Sequence, residues 1–202
     1  MTANNTPKLD LGLYQAKYTF RNWLRKIPGI SQLSPNWLSC STIIPGLLIA
    51  YCLYQGWWIG AVIAIALRMT LSTLDGLIAE EFNKTSPLGA YLNRLPGEIA
   101  DLLIILGLFP YSQLSWVIAL IILTSWVQTF GLLGLVAGSK IQSVGPCGQT
   151  DRLAIIAISC IVEAFGVPVW QYVIPGMCIG CGLTILLRIF RSIRDITNTQ
   201  TA

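Results

Sequence analysis

The sequence predicts an all-α integral membrane protein, with six transmembrane helices preceded by an N-terminal juxtamembrane amphipathic helix. Three observations predict it. The 202 residues are 54% hydrophobic and 11% charged, whereas ordinary soluble domains are about 25% charged. The apolar residues gather in six runs that are long enough, or nearly so, to cross ~30 Å of hydrocarbon. The basic residues then fall almost wholly on one side of the topology those runs imply. The same composition excludes disorder, and six scattered cysteines do not form the pattern of a secreted disulfide scaffold. Histidine is absent, which removes Ser-His-Asp triads, His-ligated zinc and any imidazole base.

The first element is expected within residues 1–30. Leu9, Leu13, Ala16, Phe20, Trp23 and Ile27 recur at steps of three and four, drawing one apolar stripe, while Lys17, Arg21 and Arg25 line another face. Such a helix lies in the headgroup layer with its basic face on anionic lipid. The alternative is a solvated connector, and Pro28-Gly29 ends the helix in either case. A signal peptide is not expected, because the charges extend to Lys26 and no small-residue cleavage site follows a short apolar core.

The six runs fall near residues 36–54, 57–78, 98–113, 115–137, 152–167 and 169–189, inside a membrane domain of residues 31–190. A cytoplasmic tail, residues 191–202, follows. Turn chemistry separates them: Tyr54-Gln55-Gly56, Pro110-Tyr111-Ser112, Gly166-Val167-Pro168, and a polar loop from Ser139 to Thr150. With six spans, both termini and the loops after the second and fourth runs share one side. Twelve of the 13 basic residues lie there, and the exception is Arg68, inside the second run. That side is cytoplasmic by the positive-inside rule, and a bacterial inner membrane is the expected location. The basic residues are thus spent on orientation, and no nucleic-acid partner is expected.

Several features read as structure. Trp37, Trp57, Trp58, Trp116 and Trp170 stand near run ends as interface belts. Gly134-x3-Gly138 and Gly176-x3-Gly180 are small-residue faces that serve either packing within the chain or a homodimer. Cys178-x2-Cys181 has no second pair, so zinc is not expected. Glu163 sits unexplained in the fifth run, with Arg68 as one conceivable partner.

The acids are the informative residues. Five of nine carboxylates, Asp75, Glu80, Glu81, Glu98 and Asp101, fall within 27 residues around the loop between the second and third runs. A carboxylate at membrane depth is expensive and marks a polar cavity, a cation or an ion pair. Oxygen ligands suit magnesium or manganese without histidine. A salt bridge of Asp75 or Asp101 with Arg68 or Arg94 is the competing reading. Glu98, close behind Pro96-Gly97, also fits the first turn of a helix, where the dipole favours an acid.

The order Leu74-Asp75-Gly76-Leu77-Ile78-Ala79, followed after Glu80 and Glu81 by Gly89-Ala90-Tyr91-Leu92-Asn93, resembles the CDP-alcohol phosphatidyltransferase family. Its signature reads D-x2-D-G-x2-A-R-x8-G-x3-D-x3-D, running from the second transmembrane helix into the third. Asp75, Gly76, Ala79 and Gly89 match. Ser72 stands at the first Asp, Glu80 at the Arg, Asn93 at the third Asp and Gly97 at the fourth. Pro35-Asn36 resembles the entry into the family's first span. Gly145-Pro146-Cys147-Gly148-Gln149-Thr150-Asp151-Arg152 resembles a loop of one branch, which also tends to carry Asn at the first or third Asp position. The resemblance runs from about residue 30 to 190.

What the resemblance implies is transfer of a substituted phosphate from a CDP-linked lipid or alcohol to a hydroxyl acceptor, releasing CMP, in phospholipid biosynthesis. Two divalent cations, Mg2+ or Mn2+, would polarise the diphosphate. Asp75, Asn93, Ser72 and Asp101 would be the metal ligands, and Gly76, Ala79 and Gly89 would meet the CDP moiety. Asp101 and Glu98 would be displaced general-base candidates, and Lys140 and Arg152 would hold the acceptor's phosphate. A homodimer is a further implication. The rival expectation is a catalytically degenerate relative that binds lipid or nucleotide, or serves as a partner subunit.

Overall fold

The computed structural model describes residues 34–82 and 86–200. The amphipathic helix expected within residues 1–30 lies outside the described residues. Among the described residues all regular structure is helical: α1 (Pro35–Ser41), α2 (Ile43–Tyr54), α3 (Trp58–Glu81), α4 (Pro87–Leu106), α5 (Leu114–Leu133), α6 (Gln149–Ala164) and α7 (Trp170–Gln200). Short 3-10 turns, Phe109–Tyr111 and Gly134–Ala137, precede and follow α5. A lipid solvent cannot hydrogen-bond the backbone, so apolar runs of this length close their own bonds as helices. Gly56 (φ +70°) and Gly166 (φ +81°) turn the chain after α2 and α6 in a left-handed conformation that side chains resist.

Among the described residues four helical stretches are long and apolar enough to cross a membrane: Pro35–Tyr54, Trp58–Gly76, Leu114–Ala137 and Trp170–Asn198. All six expected runs are helical, but two do not reach that standard alone. Helix α6 has 16 residues, about 24 Å at 1.5 Å per residue. Helix α4 carries Arg94, Glu98 and Asp101.

The boundaries of α4 correct the sequence reading. Pro96-Gly97 does not start it; Pro96 lies inside the helix, which begins well before it, at Ser86-Pro87. The Ser86 hydroxyl accepts from the Gly89 N–H at 2.9 Å, and proline at the first position lacks a donor that would be orphaned anyway. Glu98 is therefore mid-helix, and the dipole explanation for it falls. At the other end of the chain, α7 continues helically through the expected tail to Gln200.

Close approach of small residues holds the bundle, as expected where lipid gives no hydrophobic drive between helices. Helix α2 packs between α3 and α4, α1 sits against both, α3 packs on α6, and α5 on α7. At Gly107 a Cβ would meet the Ala50 carbonyl at 2.5 Å, and at Gly134 one would meet the Ser192 hydroxyl at 2.7 Å. Ile44, Leu48, Ile63, Ile122, Leu186 and Phe190 are exposed, the pattern of a lipid-facing rim. Trp170, expected in an interface belt, is buried within the bundle, its ring 5.9 Å from that of Trp58. Glu163 does not meet Arg68. Its carboxylate accepts from the N–H groups of Val169 (2.8 Å) and Trp170 (3.4 Å), capping α7.

Candidate functional site

Helices α3, α4 and α6 meet at the motif residues, and a buried ion cluster joins them. Asp101 of α4 is 4% exposed and faces a guanidinium from each side. Arg68 Nη2 of α3 lies 2.7 Å from Asp101 Oδ1, and Arg152 Nη2 of α6 donates to Oδ2 at 2.7 Å. Arg68 Nη2 also donates to the Gly97 carbonyl at 2.8 Å, and Arg152 Nη1 to the Cys147 carbonyl at 3.0 Å. Both arginines are almost fully buried. Of the ion pairs left open by the sequence, Arg68–Asp101 is the one formed, and Arg152 adds a second arm.

The other motif positions are spread around this cluster. Asp75 is 2% exposed, and its Oδ2 accepts from the Ser39 hydroxyl of α1 at 2.6 Å. Ser72, one turn earlier, is exposed and lines a cavity. Gly97 faces the same cavity, and a Cβ there would come within 2.9 Å of the Gln149 amide nitrogen and 3.9 Å of Arg68 Nη2. The room of the fourth motif acid is thus taken by an amide and a guanidinium. Gly76 borders open space, since a Cβ at that position would have nothing within 4 Å. A Cβ at Gly89 would instead stand 3.0 Å from the Ser86 hydroxyl and 3.1 Å from the Asn36 amide oxygen. Ala79 is half-buried on α3. The side chains of Glu80 and Asn93 lie outside the described residues.

Two adjoining cavities open here, sharing Arg94, Gln149 and Thr150 in their walls. The first, about 210 Å³, is lined by Arg68, Ser72, Thr73 and Gly97 among others. The second, about 440 Å³, is lined by Glu98, Gln128, Asp151 and Arg188 among others. Successive residues of a helix point about 100° apart, which is why Gly97 belongs to one cavity and Glu98 to the next. Arg188 is buried and donates to the Val144 carbonyl at 3.0 Å. Lys140 is exposed and lines neither cavity.

Among the described residues no three carboxylate or thiol groups converge to hold a metal ion. Asp75 is the one described carboxylate at a motif position, and both Asp101 oxygens face arginine. The described residues therefore do not fit the two-cation arrangement that the resemblance implies.

The CDP-alcohol phosphatidyltransferase family profile matches residues 32–186. The chain belongs to that family. It is 28% identical over 170 residues to the Escherichia coli (strain K12) inner membrane protein YnbA, covering 79% of this chain and 83% of YnbA. Its fold matches Mycobacterium tuberculosis phosphatidylinositol phosphate synthase (PgsA1) with CDP-DAG bound, at a TM-score of 0.72 and 15% identity, over 88% of this chain and 94% of that one. The same synthase in complex with manganese and citrate matches at 0.71 and 16%, over 86% and 87%. This is a family fold in a membrane protein, with three of the four family acid positions not acidic.

Sequence reasoning gave Arg68 a place only as the exception to the charge count and as an ion-pair partner. Two signals could have raised it. A lone arginine in an apolar run marks a functional position by default, and Arg68, Ser72, Asp75 and Ala79 share one helical face. Gln149 and Arg188 carried no such signal, because each is brought to the site by a different helix.

Proposed function

We propose that the chain transfers a substituted phosphate group from a CDP-linked lipid or alcohol to a hydroxyl acceptor at the cytoplasmic ends of α3, α4 and α6, releasing CMP. Family membership supports phosphatidyl transfer in phospholipid synthesis, and the two adjoining cavities carry the reading for this chain. The smaller one borders motif positions 72 and 97 and takes the diphosphate; the larger one holds the acceptor. Glu98, half-buried in the larger cavity, is the general base of this reading. Its carboxylate takes the hydroxyl proton as the acceptor oxygen bonds to phosphorus, and the bond to the CMP oxygen breaks. Asp101 serves as the anchor between Arg68 and Arg152, so Arg152 positions α6 and the acceptor's charge falls to Arg188. Asp75, with Ser72 and Asn93, is the donor set that the family resemblance offers a divalent cation, and Asp75 is the one carboxylate in it.

Six spans with cytoplasmic termini in a bacterial inner membrane are part of the same reading, supported by the one-sided basic residues. So is a homodimer, supported by Gly176, where a Cβ would meet open space.

The test is CMP release from CDP-diacylglycerol by the purified protein in lipid, with a panel of alcohols, in magnesium, manganese or EDTA. Release that Glu98→Gln abolishes while CDP binding persists supports the reading. Bound CDP without release by wild type across the panel refutes transfer and favours a non-catalytic relative. The observation that favours this second reading is the missing convergence of acids among the described residues.

A further inference from the structure

The smaller cavity has a positively charged and polar lining. Its charged lining residues are Arg68 and Arg94, with no carboxylate among them, and Ser72, Thr73, Gln149 and Thr150 supply hydroxyl and amide groups. Arg68 is 4% exposed, yet its Nη1 has no hydrogen-bond partner while Nη2 is engaged twice. A buried guanidinium nitrogen without an acceptor is costly, and Arg68 lines this cavity. The cluster behind it also carries excess charge: Arg68 and Arg152 share the single carboxylate of Asp101. Adding Arg94 and the neighbouring Glu98 leaves the group one unit positive. The first turn of α6 also presents Gln149 and Thr150 to the cavity as polar lining, while its N-terminus is capped by Asp151, whose carboxylate accepts from the Gly148 N–H at 3.0 Å.

We propose that Arg68, with Arg94, takes the place of a divalent cation in this cavity, so that the chain binds the diphosphate of a CDP-linked ligand without metal. The proposal rests on the transfer site described above. A guanidinium holds two phosphoryl oxygens in a planar fork and keeps its charge at every working pH. The loss of acid at positions 72 and 97 is what such an exchange requires: a carboxylate at either would neutralise the arginine. Glycine at 97 leaves its carbonyl and its empty side-chain volume to Arg68 and Gln149.

Titration calorimetry of the full chain in lipid nanodiscs tests this with CDP, CMP, pyrophosphate and inorganic phosphate, each in EDTA and in magnesium. CDP should bind in EDTA with a Kd within about two-fold of that in magnesium. Arg68→Gln should weaken CDP binding at least ten-fold and Arg68→Lys less. Because Arg68→Gln also strips a partner from Asp101, Arg94→Gln and Gly97→Asp are the second line. Arg94 is exposed, and the new acid at 97 would quench Arg68 by charge. Both should weaken CDP binding in EDTA; Arg94→Gln should leave the melting temperature unchanged, and Gly97→Asp, whose Cβ displaces the Gln149 amide, is read alongside its own melting curve. CDP binding that EDTA abolishes and magnesium restores would overturn the proposal and leave the transferase reading standing. Binding of inorganic phosphate as tight as CDP would overturn the assignment to a nucleotide. No CDP binding in either buffer would overturn both readings.

Discussion

Asp101→Asn is the most informative single substitution, because two readings of Asp101 predict opposite results. In the structure its carboxylate joins α4 to α3 and α6 through two contacts of 2.7 Å, all three side chains being 4% exposed or less. Removing one partner of a buried ion pair costs about 3–5 kcal/mol, since the remaining charge stays buried and uncompensated. Here two guanidinium groups are left so, although the carbonyls of Gly97 and Cys147 still accept from them. A loss of about 4 kcal/mol follows. For a chain of this size that lowers the melting temperature by roughly 10 °C. The assay is thermal unfolding in nanodiscs with EDTA present, followed by tryptophan fluorescence. Adding Arg152→Gln to Asp101→Asn should recover part of the loss, because the pair is coupled rather than additive. A drop of less than about 2 °C in EDTA, with loss of a magnesium-induced stabilisation, would refute the anchor and make Asp101 a metal ligand.

Three other expectations concern single residues. Glu163→Ala removes the cap of α7 and should cost about 1 kcal/mol, read as a melting shift of a few degrees with CDP binding unchanged. Gly76→Ala should leave stability equal or raise it by up to about 1 kcal/mol, because a Cβ there meets nothing within 4 Å and alanine favours helix. It should nonetheless weaken CDP binding in calorimetry if that space belongs to the nucleotide; unchanged affinity would remove Gly76 from the site. Gly107→Ala drives a Cβ into the Ala50 backbone at 2.5–3.1 Å, and should lower stability by about 1–3 kcal/mol, seen in the same melting assay.

The all-helical class and the four long apolar helices were legible because the bilayer writes itself into composition and run length. The motif on α3 and α4 was legible because it is a local pattern with fixed spacing. What escaped were relations between elements. Spacing places Arg68, Ser72 and Asp75 on one face of α3, but says nothing of what lies opposite. Arg152 reaches Asp101 across 51 residues of sequence, whereas the family resemblance assigned that arginine to the acceptor's phosphate. The start of α4 was misplaced for a different reason. Pro96-Gly97 carries a strong start signal, and the true start at Ser86-Pro87 carries the same proline signal with a serine cap. Local rules do not rank two such signals; a helix that runs beneath a polar site can keep a proline inside it.

The charge at the motif makes the arginine exchange coherent. The family signature sums four carboxylates and one guanidinium to minus three, and two divalent cations bring the loaded site to plus one, attractive to a diphosphate. This chain has neutral residues at three of the four acid positions, Ser72, Asn93 and Gly97, and an acid, Glu80, at the arginine position. If it depended on the same cations, each change would weaken the site. With Arg68 as the cation, the changes at 72 and 97 remove carboxylates that would compete with phosphate for it. The positive charge has in effect moved twelve residues along α3, from position 80 to 68. That is about 18 Å of helix, from the C-terminal end of α3 to a buried site where a guanidinium acts in low dielectric and counts for more. A reversion series separates adaptation from decay. Restoring acids at 72, 93 and 97 and arginine at 80 improves a decayed metal site, but in a chain adapted to arginine it should abolish metal-free CDP binding until Arg68 is also removed.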